Sequence, residues 1–277
     1  MPETVTVSAT AEPAALGAGA PRRRRWPSGW SRRLRRIAAV VVPFMLWDFA
    51  AAASDNRLFP GPFRVFEELW EQLTDGTLWF HGRVTLLRGL AGLAIAVVVG
   101  VLLGVLMATV RWLDAALQPL IVATYPVPKL ALFPLLVLLL GFGPASKIAM
   151  VALECSYPII LTTYAGVQAI DKHYFWLARN VGAGPLARLQ LMLRAASPAL
   201  MASLRMAAPI MLVVIVVTEL IGESRGLGYL IRQAGADFQP ATALSIVLLL
   251  GIIGFTVDRT IVALSARTTR WAAQVRL

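Results

Sequence analysis

The feature that most constrains this chain is a run without charge. Residues 89–110, between Arg88 and Arg111, carry no ionisable side chain and are mostly Leu, Val, Ala and Gly. About 20 such residues cross the hydrocarbon core of a bilayer as a helix, because a helix bonds every backbone group internally. The run has company. Residues 37–53, 115–140, 147–167, 198–221 and 238–264 also read as spans, and the clearest one extends back to about residue 81. Asp48 interrupts the first, and Tyr125, Pro126, Val127, Pro128 and Lys129 break the third. One run of this kind can be the core helix of a water-soluble domain, but six in 277 residues cannot. Charged residues make up 15% of the chain, where soluble domains run near about 25%. The expectation is an all-α membrane protein with six transmembrane helices.

Several classes are excluded. The single cysteine, Cys155, rules out a disulfide scaffold. Two histidines, His81 and His173, leave no multi-histidine metal site. The sequence has no phosphate-binding GxxxxGK[ST] loop and no HExxH. We therefore expect no catalytic residues, no cofactor and no metal site in this chain. The net charge of +11 raises nucleic acid as a partner. The N-terminal arginines, however, abut an apolar run, and excess Arg in so apolar a chain reports membrane orientation.

Orientation follows from the short loops. With the N-terminus inside, sixteen lysines and arginines fall on inner segments and five (Arg57, Arg64, Lys147, Arg225 and Arg232) on outer ones. Both ends are then cytoplasmic. Residues 1–36 read as a disordered basic tail, residues 37–264 as the membrane domain and residues 265–277 as a cytoplasmic tail. A cleaved signal peptide competes for the first span, with small residues at Ala50 to Ser54, but the five further spans favour an uncleaved helix. In the first outer loop, Phe63, Phe66, Leu69, Trp70 and Leu73 recur at helical spacing. Residues 62–73 are expected to form a short helix that lies on the outer surface or caps the bundle.

Ionisable residues inside spans are expensive and point to cavities, interfaces or each other. Lys129, Glu154 and Glu219 are therefore candidate pathway or gate residues, with Tyr157 beside Glu154. Lys129 admits two readings, an anion contact or a counter-ion to Glu154. Glu219 reads as a gate or subunit contact. Arg205 is expected to snorkel to the inner interface. Gly100 and Gly104 form a GxxxG that allows close helix approach, within the subunit or between subunits.

Between the fourth and fifth spans, residues 171–197 carry helical sequence on both sides of Gly182, Ala183, Gly184 and Pro185. Glycine permits a tight turn and Pro185 suits the first turn of a new helix. The expected product is a cytoplasmic helix–turn–helix able to dock on a partner.

This segment resembles the EAA loop of permease subunits of binding-protein-dependent ABC importers. Gly182 fits the motif's glycine, Ala178 its second alanine, Ala183 and Pro185 the residues that often follow, and Met192 the later hydrophobic position. Trp176 stands where the motif has Glu, Leu177 where it has Ala, and Arg194 and Ala195 where it has Leu-Pro. Two other stretches are similar to the nitrate, sulfonate and taurine branch. They are Tyr125 to Leu135 with its paired prolines, and Gly141 to Ile148. The exit of the fifth span, Val217 to Ile221 followed by Arg225 to Leu230, is similar to it too. The resemblance implies a type I importer permease fold in a bacterial cytoplasmic membrane. It implies as partners ABC ATPase subunits that bind ATP and Mg, a second permease subunit (a homodimer ahead of a heterodimer), and an extracytoplasmic binding protein. The coupling loop would present Trp176, Ala178, Arg179, Gly182, Ala183, Pro185 and Arg188 to the ATPase. The solute would be a small anion. An ATP-independent carrier or channel, and a membrane scaffold that docks an ATPase without transport, are the alternatives.

Overall fold

A computed structural model describes residues 29–54 and 58–269. The expected tail up to residue 28, and residues 270–277, lie outside the described residues. The chain divides after Trp47 into two compact units. The first contributes the start of α1 (Gly29–Ser54), where Phe44 and Trp47 meet edge to face at 5.8 Å. The helix begins well before residue 37, through Arg35 and Arg36, because arginine is a good helix former.

The second unit holds the remaining helices: α2 (Pro62–Thr74), α3 (Thr77–Thr109), α4 (Arg111–Thr124), α5 (Phe133–Leu140), α6 (Pro144–Gln168), α7 (Lys172–Asn180), α8 (Pro185–Ala195), α9 (Ser197–Leu220), α10 (Leu227–Ala236) and α11 (Pro240–Thr268). No strand occurs among the described residues. Helices α2, α6, α8 and α11 each open on proline, whose fixed φ suits a first turn and whose missing N–H is not needed there. Among the described residues, five helices are long and apolar enough to cross a membrane, or six where the one bent pair is counted as a single span. That pair is the expected third span. Its halves, Arg111–Thr124 and Lys129–Leu140, meet at 93°. The break falls on the segment with Pro126 and Pro128, which remove backbone donors and bias the preceding residues away from the helical region.

Helices α3, α6 and α9 form the centre. Gly92, Ala96, Gly100 and Gly104 make a small-residue stripe every four residues along α3. A Cβ on Gly92 would lie 2.6 Å from Val151 Cβ, one on Gly100 2.7 Å from Ile159 Cγ2, and one on Gly104 2.7 Å from Thr163 Cβ. The GxxxG therefore packs α3 on α6 within one subunit, where backbone proximity maximises dispersion contact. Phe133, Met150, Cys155, Met211 and Ile215 complete this core.

Helix α2 packs on α11 and α3 through Val65, Leu69 and Gln72, all buried. Gln72 donates to Ser245, and Thr242 donates to Glu68. Phe63 and Trp70, expected to share the apolar face with Leu69, are 77% and 69% exposed. The helix thus caps the bundle with one face and turns its aromatic face outward.

Candidate functional site

The first candidate site is the α7–α8 hairpin. Asp171 caps α7 by accepting from the His173 backbone N–H at 2.9 Å. That hydrogen bond, with a second from the His173 ring, holds the exposed Asp171 carboxyl below its ordinary value. At the other end, Gly182 has φ +69°. Its N–H donates to the Arg179 carbonyl, and the Ala183 N–H to that of Ala178. This pair of bonds is the Schellman closure, which needs a left-handed residue at the position of Gly182. Pro185 then opens α8. Arg188 Nε donates to the Ala183 carbonyl at 3.0 Å, so Arg188 braces the turn. Met192 and Leu193 anchor α8 on Val105, Val167 and Ala196. Outward, the hairpin presents Trp176, Leu177, Val181 and Leu186, each at least 60% exposed. Trp176 packs edge-on against His173 at 5.4 Å. Arg179, near the turn, is exposed as well.

The second site is the broken span. Lys129 follows the break and is only 7% exposed. Its Nζ lies 3.3 Å from the Tyr125 carbonyl, 3.4 Å from that of Val127 and 3.8 Å from Glu154 Oε2. It also stands 4.2 Å from the centre of the Tyr157 ring, a cation–π contact. The Tyr157 hydroxyl pairs with Thr124 Oγ1 at 2.9 Å, tying α6 to α4. The structure thus gathers Lys129, Glu154 and Tyr157, in the counter-ion arrangement.

Glu219 is elsewhere. At the end of the bundle that carries α2 and α10 it sits fully buried in an ion network. Arg88 Nη1 donates to Glu219 Oε1 at 3.2 Å, and Thr85 to Oε2 at 2.7 Å. The Gly228 N–H donates to Oε2 as well. Arg88 Nη2 approaches Glu223 at 3.5 Å, and Lys147 Nζ reaches Glu223 Oε2 at 2.7 Å and the Phe142 carbonyl at 2.8 Å. Two cations and two carboxylates thus join α3, α6, α9 and the 221–226 turn with no net charge. Burial pushes the Glu223 carboxyl up. The hydrogen bonds from Lys147 and the Ser224 N–H, with the charges of Arg88 and Lys147, outweigh this and hold it below its ordinary value. The turn itself is pinned. Arg88 donates to the Arg225 carbonyl, the Gly226 N–H donates to His81 Nδ1, and the Leu227 N–H donates to Thr85 Oγ1. A Cβ on Gly226 would run into the Glu219 carboxylate.

Inside the subunit, Glu219 is engaged by Thr85, Arg88 and the Gly228 N–H. Sequence reasoning missed Thr85, Arg88, Lys147 and Glu223. The available signal was spacing, with Thr85 and Arg88 three apart on one face of α3; Glu223 lies beyond the end of α9 and had no such signal. Arg205, expected to snorkel, pairs with the half-exposed Asp258 at 2.7 Å, joining α9 to α11.

Residues 96–270 match the family model described as binding-protein-dependent transport system inner membrane component. A probable ABC transporter permease protein of Haemophilus influenzae is 35% identical over 75% of this chain and 85% of its own length. The taurine transport system permease protein TauC of Escherichia coli is 30% identical over 91% of this chain and 94% of its own length. The formylaminopyrimidine transport permease protein ThiX of Halalkalibacterium halodurans is 31% identical over 78% of this chain and 88% of its own length. An inward-facing structure of the MetNI methionine ABC transporter shares the fold. Its TM-score is 0.53 at 18% identity, over 71% of this chain and 96% of that one.

Proposed function

Because this chain belongs to the family of binding-protein-dependent transport system inner membrane components, we propose that it couples ATP hydrolysis in a separate subunit to uptake of a small anion. The ABC permease assignment itself follows from the relatives. The finer reading has the α7–α8 hairpin seated in a groove of the ATPase. There, a rigid short helix converts ATPase closure into a rigid-body shift of the spans. The observation that carries it is the hairpin's construction. The turn is locked by the Schellman bonds, while Trp176, Leu177, Val181 and Leu186 stand exposed. Trp176 replaces the acidic residue of the motif with an apolar anchor. Trp is favoured as such in interface centres.

The hairpin end then faces the cytoplasm, with both termini inside, and the α2–α10 end faces outward to receive a binding protein. The charge asymmetry supports this orientation. Lys147, counted among outer-loop charges, is buried in the ion network and leaves that tally. ATP and Mg belong to the ATPase, and a second copy of this chain completes the pathway. Relatives named for taurine and aliphatic sulfonates support a sulfonate-class solute.

Affinity purification of the tagged chain tests the reading. A P-loop ATPase should come down with the native chain. It should be lost with Gly182→Pro plus Ala183→Asp, since proline cannot adopt φ +69°. Recovery of no ATPase, or of equal amounts with both forms, would refute the hairpin assignment.

A further inference from the structure

The two buried lysines of the described residues are bonded very differently. Lys147 has a carboxylate at 2.7 Å and a carbonyl at 2.8 Å. Charge-assisted N–H···O bonds ordinarily fall at about 2.7–2.9 Å. At Lys129 no oxygen partner is nearer than 3.3 Å, and its only carboxylate is at 3.8 Å. Its remaining face is covered by the Tyr157 ring. This ammonium has lost most of its water without gaining one short bond in return. Such a group attracts any acceptor able to approach it. Glu154 is the more exposed partner, with 18% of its side chain accessible against 9% for Lys129. Tyr125 and Val127, whose carbonyls face the ammonium, are themselves 56% and 46% exposed. The cluster therefore lies one side chain below a surface, at the point where the span turns by 93°.

We propose that Lys129 is the anion-recognition residue of this permease, and that Glu154 is a resident counter-ion which an incoming sulfonate-class oxyanion displaces. The proposal rests on the permease reading and deepens it. A tetrahedral sulfonate head offers three oxygens, so one can meet the ammonium at ordinary hydrogen-bond length while the others remain in water. A neutral solute has nothing to set against the carboxylate and leaves the pair closed. Glu154 also makes release possible. It competes for the same ammonium and closes on it when the anion departs. Tyr157, fixed by its bond to Thr124, holds the ammonium from the opposite side during the exchange.

The test is a titration of the full chain in lipid nanodiscs, labelled with 3-fluorotyrosine, with ethanesulfonate as probe. The 19F resonance of Tyr157 is identified by its loss in Tyr157→Phe. The expected result is a saturable shift with ethanesulfonate and none with the neutral ethanesulfonamide. In Glu154→Gln the midpoint should fall at least about fivefold, because a competing charge about 4 Å from the ammonium has gone. Lys129→Arg should retain the shift. Lys129→Gln should lose it, and so should the double variant Lys129→Gln/Glu154→Gln, which keeps the pair neutral and guards against misfolding of the single one. Circular dichroism of the double variant checks its helices. No saturable shift in the native chain, an unchanged or weaker midpoint in Glu154→Gln, or a shift that survives in the folded double variant overturns the proposal. ATPase co-purification is read separately on the same variants. Absence of the shift in the native chain with the ATPase still bound sinks this proposal alone, whereas absence of the ATPase from the native chain sinks the permease coupling.

Discussion

The Lys147 network and the Lys129 cluster are built from the same residue types and do opposite things. Around Lys147, four ions of alternating sign, a threonine hydroxyl and three backbone amides close on one another across α3, α6, α9 and the following turn. Around Lys129, one cation faces one carboxylate at 3.8 Å beside a broken helix. Saturated buried charge is rigid, because each member loses its partners if it moves. Loosely paired charge can change partner at small cost. The first region reads as a clamp and the second as a place where something happens. Buried ion networks are weak evidence for net stability, yet breaking one by removing a single partner is severe.

That asymmetry gives the largest expected effect. Lys147→Met leaves the half-buried Glu223 carboxylate with only the longer Arg88 contact and the Ser224 N–H. It should destabilise by about 3 kcal/mol, the lower end of the range for removing one partner of a buried ion pair. Lys129→Met removes no short bond and should cost about 1 kcal/mol or less, near the value of one ordinary hydrogen bond. Equilibrium unfolding in mixed micelles measures both. Equal losses would abolish the distinction between clamp and exchange site.

A substitution that touches no charge probes the clamp next. Gly226 has φ +119°, and its Cα sits against the Glu219 carboxylate. Gly226→Ala both strains the backbone and displaces Glu219 from Thr85 and Arg88. A loss of about 2 kcal/mol is expected, within the range for a side chain forced into a glycine-only conformation. The same unfolding measurement reads it, and an alanine tolerated without loss would show that the turn is not pinned by Glu219.

How much of this was visible in the sequence follows from the range of each interaction. The hairpin was legible, because a glycine at a helix end and a proline at the next helix start act locally. So was the break at Pro126 and Pro128, although its 93° bend was not. Which residues of α2 face the bundle was not legible, for a physical reason. In a bilayer, apolar residues serve both the core and the lipid, so Phe63 and Trp70 could not be told from Val65 by hydropathy. Lys147 was counted as a loop charge because its partner Glu223 lies two spans further along the chain. Glu219 was singled out as an ionisable residue within a span, but its partners Thr85 and Arg88 sit on α3, and no local pattern joins them to it. Tertiary pairing of charges is the part that one sequence does not display.

The smallest effect is a pH dependence confined to the clamp. Glu223 lies in the turn after α9, and its carboxyl is held below its ordinary value near 4.5. A depressed folded-state value means that the ionised form is favoured by folding. The contribution is therefore fully present above about pH 4.5 and is lost as pH falls through the lower folded-state value. Stability of the native chain should fall on acidification across that window, and Glu223→Gln should flatten this part of the curve while lowering stability at neutral pH. Lys129→Met should leave the slope unchanged, because Lys129 makes no contact with Glu223. A slope that survives in Glu223→Gln would mean that another carboxylate carries the acid sensitivity. A slope altered by Lys129→Met would mean that the two regions are coupled through α6, which carries both Lys147 and Glu154, and that the clamp responds to what happens at the break.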